Sequence, residues 1–152
     1  MKIEFLQDSD QKEPKVLVVA REQNREVQAL IEELERMFGE TVQAYDQENV
    51  CILMQADLLR VYAEGARVLC QTADGIYTLR ARLYEMEACL DPQSFVRISK
   101  CEIVNVRKIL RLDVSLTGTV GIVLEGEIKT YTSRRYVQKL KSFLGLGKEG
   151  RT

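Results

Sequence analysis

From Val50 onward the chain is written in short apolar or alternating stretches: "VCILM", "LLRVY", "RVLCQT", "IYTLRARL", "FVRIS", "CEIVNV", "KILRLDVS" and "TVGIVL". Turn residues separate them. Alternation with a period of two over four to eight residues puts apolar side chains on one face of a strand, and breaks at such short intervals favour hairpins. The segment "ADG", Ala73 to Gly75, is a tight hairpin turn that returns through "IYTLRARL", and Leu110, Leu112 and Val114 alternate with Arg111, Asp113 and Ser115. "TG" at Thr117–Gly118 and "EG" at Glu125–Gly126 bracket a further strand, with "EIKTY" after it. A short helix is expected in "ARLYEMEACLD", stopped by Pro92. The pattern predicts a mostly β (α+β) protein built of antiparallel hairpins with short helices.

Both ends depart from this rhythm. "KIEFLQ" alternates and "KVLVVA", Lys15 to Ala20, is rich in β-branched residues, so both are expected as strands. From Glu22 to Phe38, Val27, Leu30, Ile31, Leu34, Met37 and Phe38 form a helical stripe that Gly39 could end. Residues 1–45 are therefore expected as a β-β-α extension, small to fold alone, whose helix either covers the chain's own sheet or serves dimerisation or partner binding. Residues 46–146 are expected to form the main β domain, and 147–152 a loose tail. The last helix is expected from Ser133 to Leu144, with Tyr136, Val137, Leu140, Phe143 and Leu144 on one face and Gly145 as its stop.

The 152 residues, 45% of them apolar, suffice for one well-buried domain and a small extension. No run approaches the roughly 18 consecutive apolar residues of a membrane span, and the first residues lack the pattern of a signal peptide, so a cytoplasmic protein is expected. Cys51, Cys70, Cys89 and Cys101 include no C-x-x-C pair and are expected as buried thiols. There is no histidine, the commonest general base and metal ligand, and no constellation of carboxylates, lysine or cysteine replaces it. The expectation is no enzyme, no cofactor, no metal and no small-molecule substrate.

Charge is unevenly divided. Residues 1–94 hold 10 Lys+Arg against 18 Asp+Glu, while residues 95–152 hold 12 against 5. A basic end suits a polyanion, and equally a solvated surface or an internal complement to the acidic part of the chain. Within it, "TYTSRRYVQKLKSFLG" raises a local conflict: Ser133 is a natural N-cap, which makes Arg134 and Arg135 the first helical residues, where two cations oppose the helix dipole. An anion docking there would meet both guanidinium groups and the free N–H groups of the first turn. Lys139 and Lys141 continue the basic face. In "FVRISKCEIVN", Arg97, Ser99 and Lys100 sit at a strand end, where basic and hydroxyl groups suit phosphate or base contact. In "YAEGARVL", Gly65 marks a turn and Arg67 lies just beyond it.

"FVRISKCEIVNVRKI" followed by "TYTSRRYVQKLKSFLG", with "VYAEGARV" upstream, resembles the LytTR DNA-binding domain of bacterial transcription regulators, over roughly Asn49 to Gly145. The resemblance implies an elongated antiparallel β domain that meets successive major grooves with loops and one helix start. It also implies sequence-specific binding of double-stranded DNA at repeated half-sites, as a homodimer at least on DNA. Carried over by position, Arg67, Ser99, Lys100, Arg134 and Arg135 become DNA contacts, with Arg97, Lys139 and Lys141 expected on phosphates. Asn105 is expected to be structural. Cys101 stands where relatives often have serine. Forty-five residues cannot make a phosphorylatable receiver, so the chain is similar to small stand-alone members, which are typically encoded with a restraining membrane protein. The alternative reading is a protein-interaction module whose basic face docks an acidic regulatory partner.

Overall fold

The computed structural model describes residues 1–12, 14–38, 40–114 and 118–145, and the side chains of 35–38 are not described. Two compact units separate at Met1–Phe38 and Gly39–Thr152. In the first, helix α1 (Arg25–Phe38) forms as the apolar spacing predicts. The side chain of Asn24 caps it by accepting from the Val27 N–H at 3.0 Å. The expected stop at Gly39 lies outside the described residues.

The two N-terminal strands are a correction: residues 1–6 and 15–20 form no strand. Ile3, Phe5, Leu6, Leu17 and Val19 are exposed. A strand gains its hydrogen bonds only from a neighbour, and even a two-stranded ribbon is marginal in water. β propensity alone therefore does not order these segments.

In the second unit, β1 (Thr41–Asp46) and β2 (Asn49–Met54) form a hairpin, followed by β3 (Arg60–Glu64), β4 (Arg67–Thr72) and β5 (Gly75–Leu79). Helix α2 (Leu83–Cys89) comes next, ending before Pro92. Then follow β6 (Phe95–Ser99), β7 (Glu102–Asn105), β8 (Ile109–Val114), β9 (Val120–Leu124), β10 (Ile128–Tyr131) and helix α3 (Arg134–Phe143). The strands make a seven-stranded sheet in the order β2-β1-β5-β4-β3-β7-β6 and a three-stranded sheet β10-β9-β8, and every pairing is antiparallel. The last residue of the expected strand "KILRLDVS", Ser115, and the expected turn residue Thr117 lie outside the described residues, as does the tail 147–152.

Two cores follow from the alternation. On one face of the large sheet, Val42, Ala44, Val61, Cys70, Leu79 and Ile103 pack with Leu83, Met86 and Leu90 of the α2 segment. On the other, Val96, Ile98 and Val104 pack with Val120, Ile122 and Leu124 of β9 and with Leu140 of α3. Every residue of β9 is buried, as befits the middle strand of a small sheet covered on both faces. Glu102 links the two sheets by accepting from the Thr130 hydroxyl at 2.7 Å and pairing with Arg60 at 3.2 Å. Asn105 is buried and structural. Its amide donates to the Leu58 carbonyl at 2.9 Å and its oxygen accepts from the Arg107 N–H at 3.0 Å, closing the turn before β8.

Candidate nucleic-acid interface

Two backbone hydrogen bonds bring separated sequence segments to one rim of the large sheet. The Ala63 N–H donates to the Cys101 carbonyl at 2.8 Å, joining the β3–β4 turn to the β6–β7 turn. The Ser133 N–H donates to the Ile98 carbonyl at 2.9 Å, joining the start of α3 to the end of β6. Arg67, Ser99, Lys100, Arg134 and Arg135 therefore lie along one edge, although up to 68 positions separate them in sequence (135 − 67). Gly65, at a φ of 63°, makes the β3–β4 turn.

Arg67, Lys100, Arg134 and Arg135 are exposed, and among the described residues none forms an ion pair. Four uncommitted cations on one rim make a surface that attracts an anion. Ser133 occupies the N-cap position, but its hydroxyl makes no capping hydrogen bond, contrary to the sequence expectation. No acidic residue stands in the first turn. The opening N–H groups of α3 thus add to the two arginines instead of being neutralised by the chain itself. The helix is held from its other face by Leu140, with Val137 and Phe143 packed at the same core.

Arg97 behaves differently. Its Nε donates to the Ser99 carbonyl at 2.8 Å, its Nη2 to the Lys100 carbonyl at 2.6 Å, and its Nη1 to Glu87 at 3.1 Å. The side chain is 15% exposed. The expectation of a phosphate contact meets a guanidinium turned inward, where it braces the β6–β7 turn. Lys139 also reaches Glu87, at 3.5 Å, so this one carboxylate on α2 touches both the turn's brace and α3. Lys141 is half-buried toward the end of α3. Sequence reading missed Glu87; the only signal was its position on the exposed face of α2.

The expected buried thiols divide. Cys70 is buried, and burial pushes its thiol up to about 11; Cys51 is intermediate, whereas Cys89 and Cys101 are exposed. Cys101 sits at the tip of the β6–β7 turn, and its N–H donates to the Ser99 hydroxyl at 3.1 Å. That bond fixes the hydroxyl of a residue expected to face DNA. No helix among the described residues is long and apolar enough to cross a membrane.

A brace and a contact predict different phenotypes. Arg97→Ala should loosen the β6–β7 turn and weaken binding to the preferred duplex several-fold, with the salt slope unchanged. A slope lower by about 0.9 would instead mark Arg97 as a phosphate contact.

A β rim with a helix start and unpaired arginines suits an anionic partner of the nucleic-acid class, and among the described residues five strands separate α2 from α3, so these two helices are not a helix-turn-helix pair. The sequence profile of the LytTr DNA-binding domain matches residues 48–145, and the chain belongs to that family. It is 30% identical over 147 residues to proteins named as uncharacterized HTH-type transcriptional regulators of Staphylococcus aureus strains COL and N315. Those alignments cover 96% of this chain and 99% of the relatives. The fold is similar to a solved LytTr DNA-binding domain from Bacillus cereus, with a TM-score of 0.67 and 19% identity, covering 70% of this chain and 97% of that one. DNA-binding transcription regulation is thus the function of the chain.

Proposed function

We propose that the rim formed by the β3–β4 turn, the β6–β7 turn and the start of α3 reads double-stranded DNA in the major groove. The supporting observation is the pair of backbone hydrogen bonds, from Ala63 to Cys101 and from Ser133 to Ile98, that places three basic elements side by side. Arg67, Lys100 and Arg135 reach base edges, because arginine offers a planar fork to a guanine edge and lysine a donor. Arg134 meets phosphate beside the free N–H groups of α3. Ser99, Lys139 and Lys141 flank these contacts, with Lys139 drawn partly toward Glu87. Fluorescence anisotropy with a random duplex at low salt tests the reading; no binding there would leave an acidic protein as the occupant of the basic rim.

The chain acts as a homodimer on repeated half-sites in the cytoplasm, and the first unit supplies the contact between copies or with a restraining membrane protein. Exposed Phe5 and Leu17, in segments of strand-like sequence, support this. Sedimentation of the full chain should show a dimer at micromolar concentration, and Phe5→Asp with Leu17→Asp should shift it to monomer. A wild-type monomer that stays single on a two-site duplex would refute the pairing.

A further inference from the structure

Beside the β3–β4 turn lies an open cleft of about 600 Å³, lined by Ala66, Arg67, Thr78, Arg80, Arg82 and Glu85 among others. Three of its walls are arginines, Arg67, Arg80 and Arg82, and all three come from the part of the sequence that is acidic overall.

Their placement follows from strand register. Val68 pairs with Leu79 as the last pair of the ladder, so Arg67 and Arg80 are the next residues on the two neighbouring segments at the rim. Like charges opposed across two strands repel, and such a pair is stabilised when something negative lies between or above them. Yet the carboxylates nearby do not serve. Glu64, the partner of Arg67 across β3 and β4, forms no ion pair with any of the three, and Glu85, in the cleft wall, accepts from the Arg82 backbone N–H at 3.1 Å and not from a guanidinium. The Arg80 guanidinium lies over the Tyr45 ring at 3.9 Å. Stacking fixes its plane while leaving its N–H edges open, an arrangement ready for a bidentate acceptor.

The register also sets direction. Tyr62 pairs with both Leu69 and Glu102, and Leu69 pairs with Thr78, so these side chains share one face of the sheet with Arg67 and Arg80. Glu102 meets Thr130 of the small sheet on that face, and α3 packs at its core there. Arg80 thus stands at the same rim and toward the same face as the start of α3. From β5 to β6 the sheet takes four inter-strand steps, about 19 Å at roughly 4.8 Å each.

We infer that Arg80 and Arg82 hold the DNA backbone, extending the contacted rim beyond Arg67 toward β5 and α2. The ligand is a phosphodiester, approached by guanidinium forks with no base edge involved, so the contribution is to affinity and not to sequence preference. The inference rests on the proposed DNA-reading rim.

The test is a titration of the full-length Arg80→Ala/Arg82→Ala double variant against wild type, on preferred and scrambled duplexes at several salt concentrations, with thermal melting to confirm folding. Loss of two phosphate contacts should lower the slope of log affinity against log salt by about 1.8 and weaken both duplexes roughly tenfold, leaving their ratio unchanged. Should the double variant melt early through loss of the Tyr45 stack, Arg80→Lys/Arg82→Lys supplies the check. It keeps the charge and should restore most of the slope. An unchanged slope in a folded variant would overturn the inference while sparing the DNA-reading rim. A changed ratio at constant slope would overturn it in favour of base contact. Wild type without salt-dependent duplex binding would overturn both.

Discussion

Raising salt from about 50 mM to about 200 mM should weaken duplex binding by roughly three to five powers of ten, if the rim engages about 6–10 phosphates. The reason is counterion release: each lysine or arginine that neutralises a phosphate frees a condensed cation, and the free energy of that release vanishes as bulk salt rises. The rim has the cations for it. Arg67, Lys100, Arg134 and Arg135 carry no ion pair among the described residues, and the α3 N-terminus adds unsatisfied N–H groups. Two copies on repeated half-sites would double the count. Anisotropy titrations across this range measure the slope directly. A flat plot would mean that the rim does not face a polyanion, and the net charge of −1 for the whole chain makes the result informative, since no global positive charge would mimic it.

Arg135→Ala should abolish the preference for the selected site while weak, salt-sensitive binding persists. A bidentate arginine–guanine contact carries about 1–3 kcal/mol of discrimination, or roughly 5- to 150-fold between preferred and scrambled duplex. Arg135 is exposed in the first turn of α3, while Leu140, five residues further, is buried, so truncation removes the contact without unseating the helix. Removing a cation from a helix N-terminus should also stabilise α3 by about 0.3–1 kcal/mol, so a melting temperature that holds or rises would accompany the loss of preference. Unchanged discrimination would move the reading role to Arg67 or Lys100. Selection of bound sequences from a random duplex library supplies the preferred site for both experiments.

Much of the β domain was legible because alternation is a direct projection of burial. Val42, Ala44, Val61 and Ile98 alternate with exposed or half-buried neighbours, and the hairpin at Ala73–Asp74 and the turn at Gly65 follow from turn chemistry. Helices α1 and α3 follow from their apolar spacing. The N-terminal strands were not legible correctly. "KIEFLQ" and "KVLVVA" have the composition of strands, but pairing is a property of a neighbour, and the single chain provides none. The side chain of Ser133 was read as a cap because the residue type permits it; whether the hydroxyl turns inward is decided by the surrounding packing.

By itself the sequence determined which segments could become strands and helices, that the C-terminal third is basic, and that two arginines open a helix against its dipole. These are local properties, set by side-chain chemistry and a spacing of two or 3.6 residues. Only the tertiary structure decided which cations lie near one another. The Val68–Leu79 pair brought Arg67 and Arg80 to neighbouring strand ends, a hydrogen bond from Ala63 to Cys101 put two turns side by side, and Arg97 turned inward to the Ser99 and Lys100 carbonyls and Glu87. Such decisions rest on contacts between residues far apart in the chain, which no local period encodes.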